Sequence, residues 1–393
     1  MTVYLDHAAT TPMLPAAREA MIEQLGVVGN ASSIHGPGRA ARRVVEESRE
    51  RIAAAIGAMP SEVIFTSGGT EADNLAIKGT YAARVAADPA RRRVVVSGVE
   101  HHAILDAAEH LASAEGAEVA FVEPDGLGVI APAAFADVVG DGADVAVASI
   151  VWGNNEIGTI SPIAELSAVA REREVVLHSD AVQAVGHVPV DFAASGLDLM
   201  TLTGHKLGGP IGVGALVARR DAPLVPLLHG GGQERQVRSG TLDVPAIAAL
   251  AVAVEASVAM VDAESARLVA LRDSLIRGAL DLGLGVEVTG AWTPGSAADR
   301  LPGNAHLRVP GTDGDSLLFL LDAAGIACAT GSACSAGVPQ ASHVVLALGI
   351  DQAEARGAIR LTLGHTSTTA DVDAALAALP GAIERARRAR GAA

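Results

Sequence analysis

The sequence predicts an α/β fold: a mostly parallel sheet in a large domain, followed by a smaller α+β domain. Two observations support this prediction. Short apolar runs typical of buried strands alternate with helical patterns from about residue 16 to residue 220, and 43 glycines suit the tight turns between them. Strands that alternate with helices form parallel βαβ crossovers. The predicted strands are 63–65, 94–97, 145–151, 175–177, 197–202 and 212–218.

Helical periodicity predicts the elements between and after these strands. It covers 40–56 and 163–173, and another helix opens near Glu71. The periodicity of residues 246–280 predicts one long helix, or two helices in succession, leading out of the first domain. We therefore expect a large domain (12–257) and a small C-terminal domain (258–393).

Composition narrows the class of protein. The chain has 393 residues, enough for two domains, and it is 50% hydrophobic but only 2% aromatic, which predicts a core of Ala, Val, Leu and Ile. A net charge of −16 argues against direct nucleic-acid binding. The basic cluster at 385–390 predicts a solvated helix end or a partner-docking tail. With no signal peptide and no apolar stretch of about 20 residues, we expect a cytoplasmic protein without a membrane span.

Polar side chains stand where two predicted strands end. The motif His178-Ser-Asp180-Ala-Val-Gln183 follows one strand, and Thr203-Gly-His205-Lys206 follows the next. Open α/β sheets bind ligands at the carboxyl ends of their strands. An amine nucleophile beside a carboxylate that can hold a protonated pyridine nitrogen is what pyridoxal phosphate needs. A solvated lysine and a helix-capping aspartate are the alternative.

Three more strand ends carry residues suited to the same cofactor. In Ser67-Gly-Gly69-Thr70, glycines let the backbone approach a phosphate at a helix start. His101 suits stacking on a flat ring or moving a proton, and Asn155 suits donation to a phenolic oxygen or a carboxylate. A cap or turn residue is the alternative for each. Together the strand ends favour one phosphate-bearing aromatic cofactor. The pair His101 and His102 does not indicate a metal site, because adjacent side chains point apart.

Later segments carry further candidates. Arg360 lies in an apolar strand-like run and needs a partner, either a substrate carboxylate held bidentately or a structural salt bridge. The glycine-rich segments His229-Gly-Gly-Gly232 and Arg238-Ser-Gly-Thr241 either complete a phosphate site or form ordinary loops.

The two cysteines predict different roles. Cys328 ends an apolar stretch and is expected to be a small buried hydrophobe. Cys334 lies among Gly, Ser and Ala, which suits a nucleophile that must travel, with a free surface cysteine as the alternative. Their spacing matches no common zinc motif, and two cysteines are no disulfide framework.

With these residues the chain resembles the pyridoxal-phosphate-dependent cysteine desulfurases, class V aminotransferases of the iron–sulfur cluster assembly type. The resemblance runs from Tyr4 to Gly364. Its most specific motifs are Gly204-His-Lys206, Asn154-Asn-Glu-Ile-Gly158, Arg238-Ser-Gly-Thr241 and Gly331-Ser-Ala-Cys334. The fold it implies is fold-type I, the aspartate-aminotransferase type, with residues 1–11 as an N-terminal segment that belongs to neither core and packs with the small domain.

The resemblance also implies roles for individual residues. Lys206 would hold pyridoxal 5'-phosphate, Asp180 would pair with its ring nitrogen, and His101 would stack on the ring and shuttle protons. The rest of the cofactor site would be Gly69, Thr70, Asn155, Gln183, Thr203, His205 and, from the second subunit of a homodimer, Thr241. Arg360, with help from Asn155, would hold the substrate carboxylate, and Cys334 would take the sulfur.

The activity implied is conversion of L-cysteine to L-alanine with a persulfide on Cys334. The sulfur would pass to an acceptor protein such as an iron–sulfur scaffold, or towards tRNA thiolation. Because the thiolate is the nucleophile, a proton acceptor such as His101 is expected nearby. Three alternatives remain open at this point: a selenocysteine lyase, a fold-type I aminotransferase and a non-catalytic sulfur-relay scaffold.

Overall fold

The computed structural model describes residues 2–331 and 341–391. The strands are β1 (Val3–Tyr4), β2 (Val63–Thr66), β3 (Arg93–Ser97), β4 (Glu118–Val122), β5 (Val145–Ser149), β6 (Leu177–Asp180), β7 (Leu199–Thr203), β8 (Gly214–Ala218), β9 (Glu287–Val288), β10 (Asn304–Arg308), β11 (Ile326–Ala327) and β12 (Ala358–Thr362).

Helices connect these strands. They are α1 (Pro15–Leu25), α2 (Gly36–Ala55), α3 (Gly69–Asn74), α4 (Thr80–Ala87), α5 (His102–Glu115), α6 (Pro132–Val139), α7 (Ile163–Glu172), α8 (Phe192–Ser195), α9 (Val244–Ala259), α10 (Val261–Asp281), α11 (Gly314–Ala323), α12 (His343–Ala347), α13 (Gln352–Ala355) and α14 (Thr369–Gly391). A π-helical turn, Leu75–Gly79, joins α3 to α4, and a 3₁₀ turn, Gly204–Lys206, follows β7.

A seven-stranded sheet forms the centre of the molecule, in the order β2-β8-β7-β6-β5-β3-β4. Every pairing among β7, β6, β5, β3 and β4 is parallel, and β8 runs antiparallel to both of its neighbours. The inner strands β5, β6 and β7 are buried along their whole length. Helices therefore cover both faces, as a parallel sheet requires. The α/β fold with a mostly parallel sheet is confirmed.

The strand expected at 175–177 is misplaced, because β6 extends to Asp180 and begins only at Leu177. His178 and Ser179 are fully buried inside the sheet. Buried polar residues are tolerated when their atoms find hydrogen-bond partners, and both of these do. Asp180 is therefore the last residue of the strand and not a residue of the following loop.

A second core lies around a three-stranded antiparallel sheet, β12-β10-β9, with α10, α11 and α14 packed on it. The N-terminal segment reaches this core through β1, which pairs in parallel with β11. Leu5 is fully buried in the second core. The N-terminal segment therefore contacts the second core at Leu5. The division into residues 1–11, 12–257 and 258–393 stays a prediction.

The stretch 246–280 forms two helices, α9 and α10, which meet at Met260 with a bend of 70°. Alanines of α9 pack between α1 and α2 at the base of the large core. No single helix in 2–331 or 341–391 has the length and apolarity to cross a bilayer; the bent pair α9 and α10 passes that test jointly, by length and composition alone.

A buried ion pair fixes the loop that carries Glu234 to the large core. Arg49 of α2 donates from both terminal nitrogens to the Glu234 carboxylate, each at 2.8 Å. Glu234 also accepts the N–H of Phe65 at 2.9 Å, and the guanidinium lies 4.7 Å above the Phe65 ring. Since every charged atom has a partner, the pair is tolerated although both side chains are almost fully buried.

We expect Glu234→Ala to lower the free energy of unfolding by about 3–5 kcal/mol, because it leaves the buried Arg49 guanidinium without its counter-charge. Urea denaturation measures this. The matched control is Glu255→Ala, which breaks the exposed pair with Arg51 and should cost less than about 1 kcal/mol. Equal effects of the two substitutions would contradict the assignment.

Candidate active site

A cavity of about 390 Å³ opens at the carboxyl ends of the central strands. Ten of the twelve residues that the sequence singled out for the site line it: Gly69, Thr70, His101, Asn155, Asp180, Gln183, Thr203, His205, Lys206 and Arg360. The cavity is also lined by Ala8, Ala9, Asp73, Val151, Gly153, Val182 and Gly331. Residues from both cores and from the N-terminal segment thus meet around one space.

Lys206 stands at the end of the 3₁₀ turn after β7. Its Nζ donates to the backbone carbonyls of Ala8 and, at 2.7 Å, Ala9. The N–H of Thr11 in turn donates to the carbonyl of His205 at 3.0 Å. The N-terminal segment therefore lies across the lysine and orients its amine.

Asp180 ends β6 with its side chain almost fully buried. Its Oδ1 accepts the N–H of Val182 at 2.9 Å. Burial raises the pKa of this carboxyl above its ordinary value, while the positive charge that His101 and Lys206 can carry opposes the rise. A cationic partner such as a pyridinium nitrogen would compensate the burial and hold the carboxylate ionised. Gln183, three residues on, donates from Nε2 to the Ala8 carbonyl at 2.9 Å.

His101 caps the start of α5, where its Nδ1 accepts the N–H of Ala103 at 3.1 Å. Burial lowers its pKa, so the neutral ring is favoured. In a neutral ring whose Nδ1 is an acceptor, the proton lies on Nε2. His101 held in this way offers a donor, and the proton acceptor expected from the sequence is not available at Nδ1.

The turn before α3 leaves room for a phosphate. Gly68 has φ +150, and a Cβ there would have Thr203 Oγ1 as its nearest contact, at 3.9 Å. On its other side the turn packs directly on Gly214, where a Cβ would lie 2.9 Å from the Gly68 carbonyl carbon. The backbone is thus exposed towards the cavity and close-packed behind it. Gly69 and Thr70 open α3, whose first N–H groups suit an anion.

Two neighbouring side chains complete this end of the cavity. Thr203 donates from its hydroxyl to the Val213 carbonyl at 3.3 Å, so its oxygen keeps lone pairs for a further donor. Burial, with the charge of Lys206, lowers the pKa of His205 to about 4, which keeps its ring neutral at pH 7. The open glycine turn, the buried Asp180 and the adjacent amine fit a phosphate-bearing pyridine cofactor.

Arg360 lies in the middle of β12. The sequence predicts either a substrate carboxylate or a structural salt bridge as its partner. Its Nη2 donates to Asp6 at 2.8 Å and its Nη1 to the backbone carbonyl of Asn155 at 3.1 Å. The salt bridge is therefore formed. Its Nε is buried with no hydrogen-bond partner in the described part of the chain. The guanidinium also lines the cavity, so it presents positive charge to a ligand there.

A layer of buried ionisable groups at and beneath the cavity wall was missed from the sequence. Asp73 of α3 lies 3.7 Å from the Nε2 of His178, and that nitrogen is 3.0 Å from the Thr201 hydroxyl. Burial, then the charge of Asp180, raises the pKa of Asp73 well above its ordinary value. Burial lowers the pKa of His178 to about 3. The sequence carried no signal for Asp73, because α3 reads Gly-Thr-Glu-Ala-Asp-Asn and this aspartate stands among other polar residues.

Glu100 belongs to the same layer. Its Oε1 accepts the Ser97 hydroxyl at 2.9 Å and the N–H of Val151 at 2.7 Å, while its Oε2 has no partner among the described residues. Burial, then the charge of Asp180, raises the pKa of Glu100 to about 8. Glu100 and Asp73 are thus favoured as neutral acids, which leaves Asp180 as the ionised carboxylate at the cavity.

Two expected site residues are not brought into this cavity by the described chain. Thr241 is exposed and does not line it, and its role stays a prediction. Cys334 lies outside the described residues. Cys328, in contrast, is buried, and burial raises the pKa of its thiol to about 12, as expected for an inert cysteine.

Comparisons with known proteins give a consistent result. A profile of the family described as "Aminotransferase class-V" matches residues 3–375. The "IscS-like cysteine desulfurase" of Mycobacterium tuberculosis is 56% identical over 386 residues, which cover 98% of this chain and 97% of that protein.

Two solved structures are similar along nearly the whole fold. A "NIFS-LIKE PROTEIN" superposes with a TM-score of 0.87 at 33% identity, covering 98% of this chain and 99% of the other. A structure titled "SspA in complex with cysteine" superposes with a TM-score of 0.78 at 30% identity, covering 92% and 99%.

We expect Glu100→Gln to flatten the pH dependence of stability. The folded state raises the pKa of Glu100 from 4.5 to about 8, so between these pH values the folded chain binds more protons than the unfolded chain, and stability falls as pH rises. A neutral glutamine keeps both hydrogen bonds to Oε1 and removes this loss, by up to about 1.4 kcal/mol per pH unit. Urea unfolding at about pH 5.5 and about pH 8 measures the difference. A stability difference between variant and wild type that is the same at both pH values would refute the assignment.

Proposed function

This chain belongs to the class V aminotransferase family, among its cysteine desulfurases, and on that premise we propose that it converts L-cysteine to L-alanine and holds the sulfur as a persulfide on Cys334. The family and the fold type expected from the motifs are confirmed. The single observation that carries the proposal is the cavity in which Lys206, Asp180 and His101 meet beside Arg360.

Pyridoxal 5'-phosphate is the cofactor we propose for this cavity. When bound, it supplies an electron sink that acidifies the Cα–H of an amino acid. Lys206 would hold it through Nζ, and Asp180 would keep its ring nitrogen protonated. The turn at Gly69 and Thr70, with Thr203 and His205, would bind the phosphate. Asn155 and Gln183 would lie near the phenolic oxygen.

The protein groups divide the remaining work. Arg360 binds the substrate carboxylate, since its guanidinium lines the cavity and Asp6 holds it in place. His101 donates a hydrogen bond from Nε2, because Nδ1 is occupied by the Ala103 N–H. Lys206 Nζ would move the proton of the substrate Cα.

Cys334 then performs the sulfur transfer. Its thiolate attacks the substrate sulfur, so that an S–S bond forms as the Cβ–S bond breaks. The electron pair of the broken bond stays with carbon, which takes up a proton and leaves as alanine. Each of the two sulfur atoms loses one electron and the substrate carbon gains both, so no external oxidant is needed.

A homodimer is part of the proposal. Exposed large apolar side chains occur at 22–34, namely Ile22, Leu25, Val27, Val28 and Ile34. Val27 lines the same surface cavity as Leu242, the residue next to Thr241. This combination of apolar residues with Thr241 suits contact with a second copy of the chain. Thr241 would then reach the partner's phosphate site.

The sulfur acceptor that we propose is a protein such as an iron–sulfur scaffold, with tRNA thiolation as a second route. A cytoplasmic location suits a persulfide, because reducing compartments keep thiols unpaired. Selenocysteine lyase and aminotransferase activities are separated by their products. A lyase releases selenium from selenocysteine, and an aminotransferase yields a keto acid and has no need of Cys334.

In the presence of a thiol that reduces the persulfide to sulfide, we expect Cys334→Ser to abolish alanine and sulfide formation from L-cysteine. The visible cofactor band and its change on adding L-cysteine should remain. The cofactor chemistry precedes the sulfur attack, so early steps survive. Cys328→Ser is the matched control: it should retain turnover and cost about 1–2 kcal/mol of stability for a hydroxyl in an apolar site. Mass spectrometry should find the added sulfur on Cys334. Full turnover by Cys334→Ser, or sulfur on Cys328, would overturn the proposal.

A mixed dimer tests the shared site. In a purified heterodimer of one Lys206→Ala and one Thr241→Ala subunit, one site carries both defects and the other carries neither, if Thr241 acts across the interface. We expect about half of the wild-type activity per dimer. If Thr241 acts within its own chain, both sites are defective and activity stays low. Two affinity tags isolate the heterodimer, and the two homodimeric variants are the controls.

A further inference from the structure

Glu156 lies buried between the two described ends of the segment that contains Cys334. Its Oε2 accepts the hydroxyl of Ser342 at 2.5 Å. On the other side, a Cβ added to Gly331 would lie 2.3 Å from the same Oε2, so the Gly331 backbone is in close approach. One carboxylate oxygen therefore touches residues 331 and 342, which flank the segment.

The backbone of Glu156 is held firmly. Its N–H donates to the side chain of Asn154 at 2.9 Å, and its carbonyl accepts the side-chain amide of Asn304 at 2.9 Å. Asn154 is itself tied to the Val99 carbonyl at 2.9 Å. The next residue towards the cavity, Asn155, gives its carbonyl to Arg360. The Glu156 carboxyl therefore stands on the same rigid turn as the cavity wall.

Burying this carboxyl has an energetic cost that the contacts offset only in part. Burial raises the pKa of Glu156 to about 7, while the Ser342 hydrogen bond and the charge of Arg360 oppose the rise. A leucine or alanine would avoid the cost of desolvation if the position served packing alone. We therefore attribute the presence of a carboxyl at position 156 to its hydrogen bond with Ser342 and its contact with Gly331.

We propose that Glu156 is a positioning residue for sulfur transfer: it holds Gly331 and Ser342 against the turn 154–158 and so places both ends of the Cys334 segment relative to the cavity. The inference rests on the proposed function, in which Cys334 is the nucleophile. Displacement of reacting atoms by about 1 Å costs up to 100-fold in rate. Loss of the contact should therefore slow the sulfur step, and it should leave cofactor binding unchanged.

Ser342→Ala removes the hydrogen bond to Glu156. In the holoenzyme, we expect the spectral change on mixing with L-cysteine to keep its wild-type rate, while the persulfide on Cys334, followed by quenching and mass spectrometry, forms about tenfold more slowly. Ser342 also caps α12. The matched control is Asp351→Ala, which removes the cap of α13 without touching Glu156 and should change neither rate.

Variants of Glu156 separate positioning from packing. Glu156→Gln retains an oxygen for Ser342 and should keep at least about half of the persulfide rate, whereas Glu156→Ala should lose about tenfold. Gly331→Ala should be as slow as Glu156→Ala, because its methyl group meets Oε2. When Gly331→Ala and Glu156→Ala are combined, the two losses of rate should not add, because the methyl group at position 331 no longer meets a carboxyl oxygen.

Ellman's reagent gives a readout that does not depend on turnover. Cys328 is buried with its pKa raised to about 12, so the labelled thiol is Cys334. Its labelling rate should change in Glu156→Ala and Ser342→Ala, and it should match the wild type in Glu156→Gln and Asp351→Ala. If Ser342→Ala fails to fold, the comparison of Glu156→Gln with Glu156→Ala tests the positioning role.

The outcomes distinguish the inference from the function on which it rests. A wild type that forms no persulfide on Cys334 would refute the proposed function. A wild type that forms it, with Glu156→Ala equally fast or with both rates slowed alike, would refute only the positioning role.

Discussion

The central sheet is buried on both faces, and this constraint decides where charged side chains can meet a ligand. The strands β5, β6 and β7 are buried along their whole length, so a charged group can reach a ligand only where the strands end. Asp180 ends β6, and Lys206 follows β7 by one turn. The remaining side chains of the cavity take their places around this edge, and the ionisable groups beneath it are held neutral by their burial.

This arrangement explains the division of charge between the layers. Asp73, Glu100 and Asp180 are three carboxyls in one desolvated region, and they cannot all be ionised together. Asp73 and Asp180 both border the cavity, but Asp180 is the one with His101 and Lys206 near it. Asp73 and Glu100 are neutral because ionising them would add repulsion to desolvation. The site thereby concentrates its negative charge at the place where a cationic ring nitrogen would meet it.

Much of the fold and most of the cavity could be predicted from the sequence, because both depend on local pattern. Apolar runs located the strands, and motifs after those runs located residues such as His101 and Lys206. The failures have a common physical origin. The strand that ends at Asp180 was misplaced because its buried polar residues have the pattern of a loop. The buried position of Glu100 was not predicted, because glutamates usually lie on the surface. The Asp6 partner of Arg360 lies 354 positions away in sequence, beyond any local pattern.

The N-terminal segment gives the molecule a particular order of assembly. Ala8 and Ala9 supply carbonyls to a lysine about 200 positions later, and the Ala8 N–H donates to Thr362. Strand β1 likewise pairs with β11. Contacts of such high sequence separation form late, because a long loop must close before they are made. The strands β2 to β8 of the central sheet come from residues 63–218, whereas β1 and Ala8 acquire these partners only once β11 and Thr362 are in place.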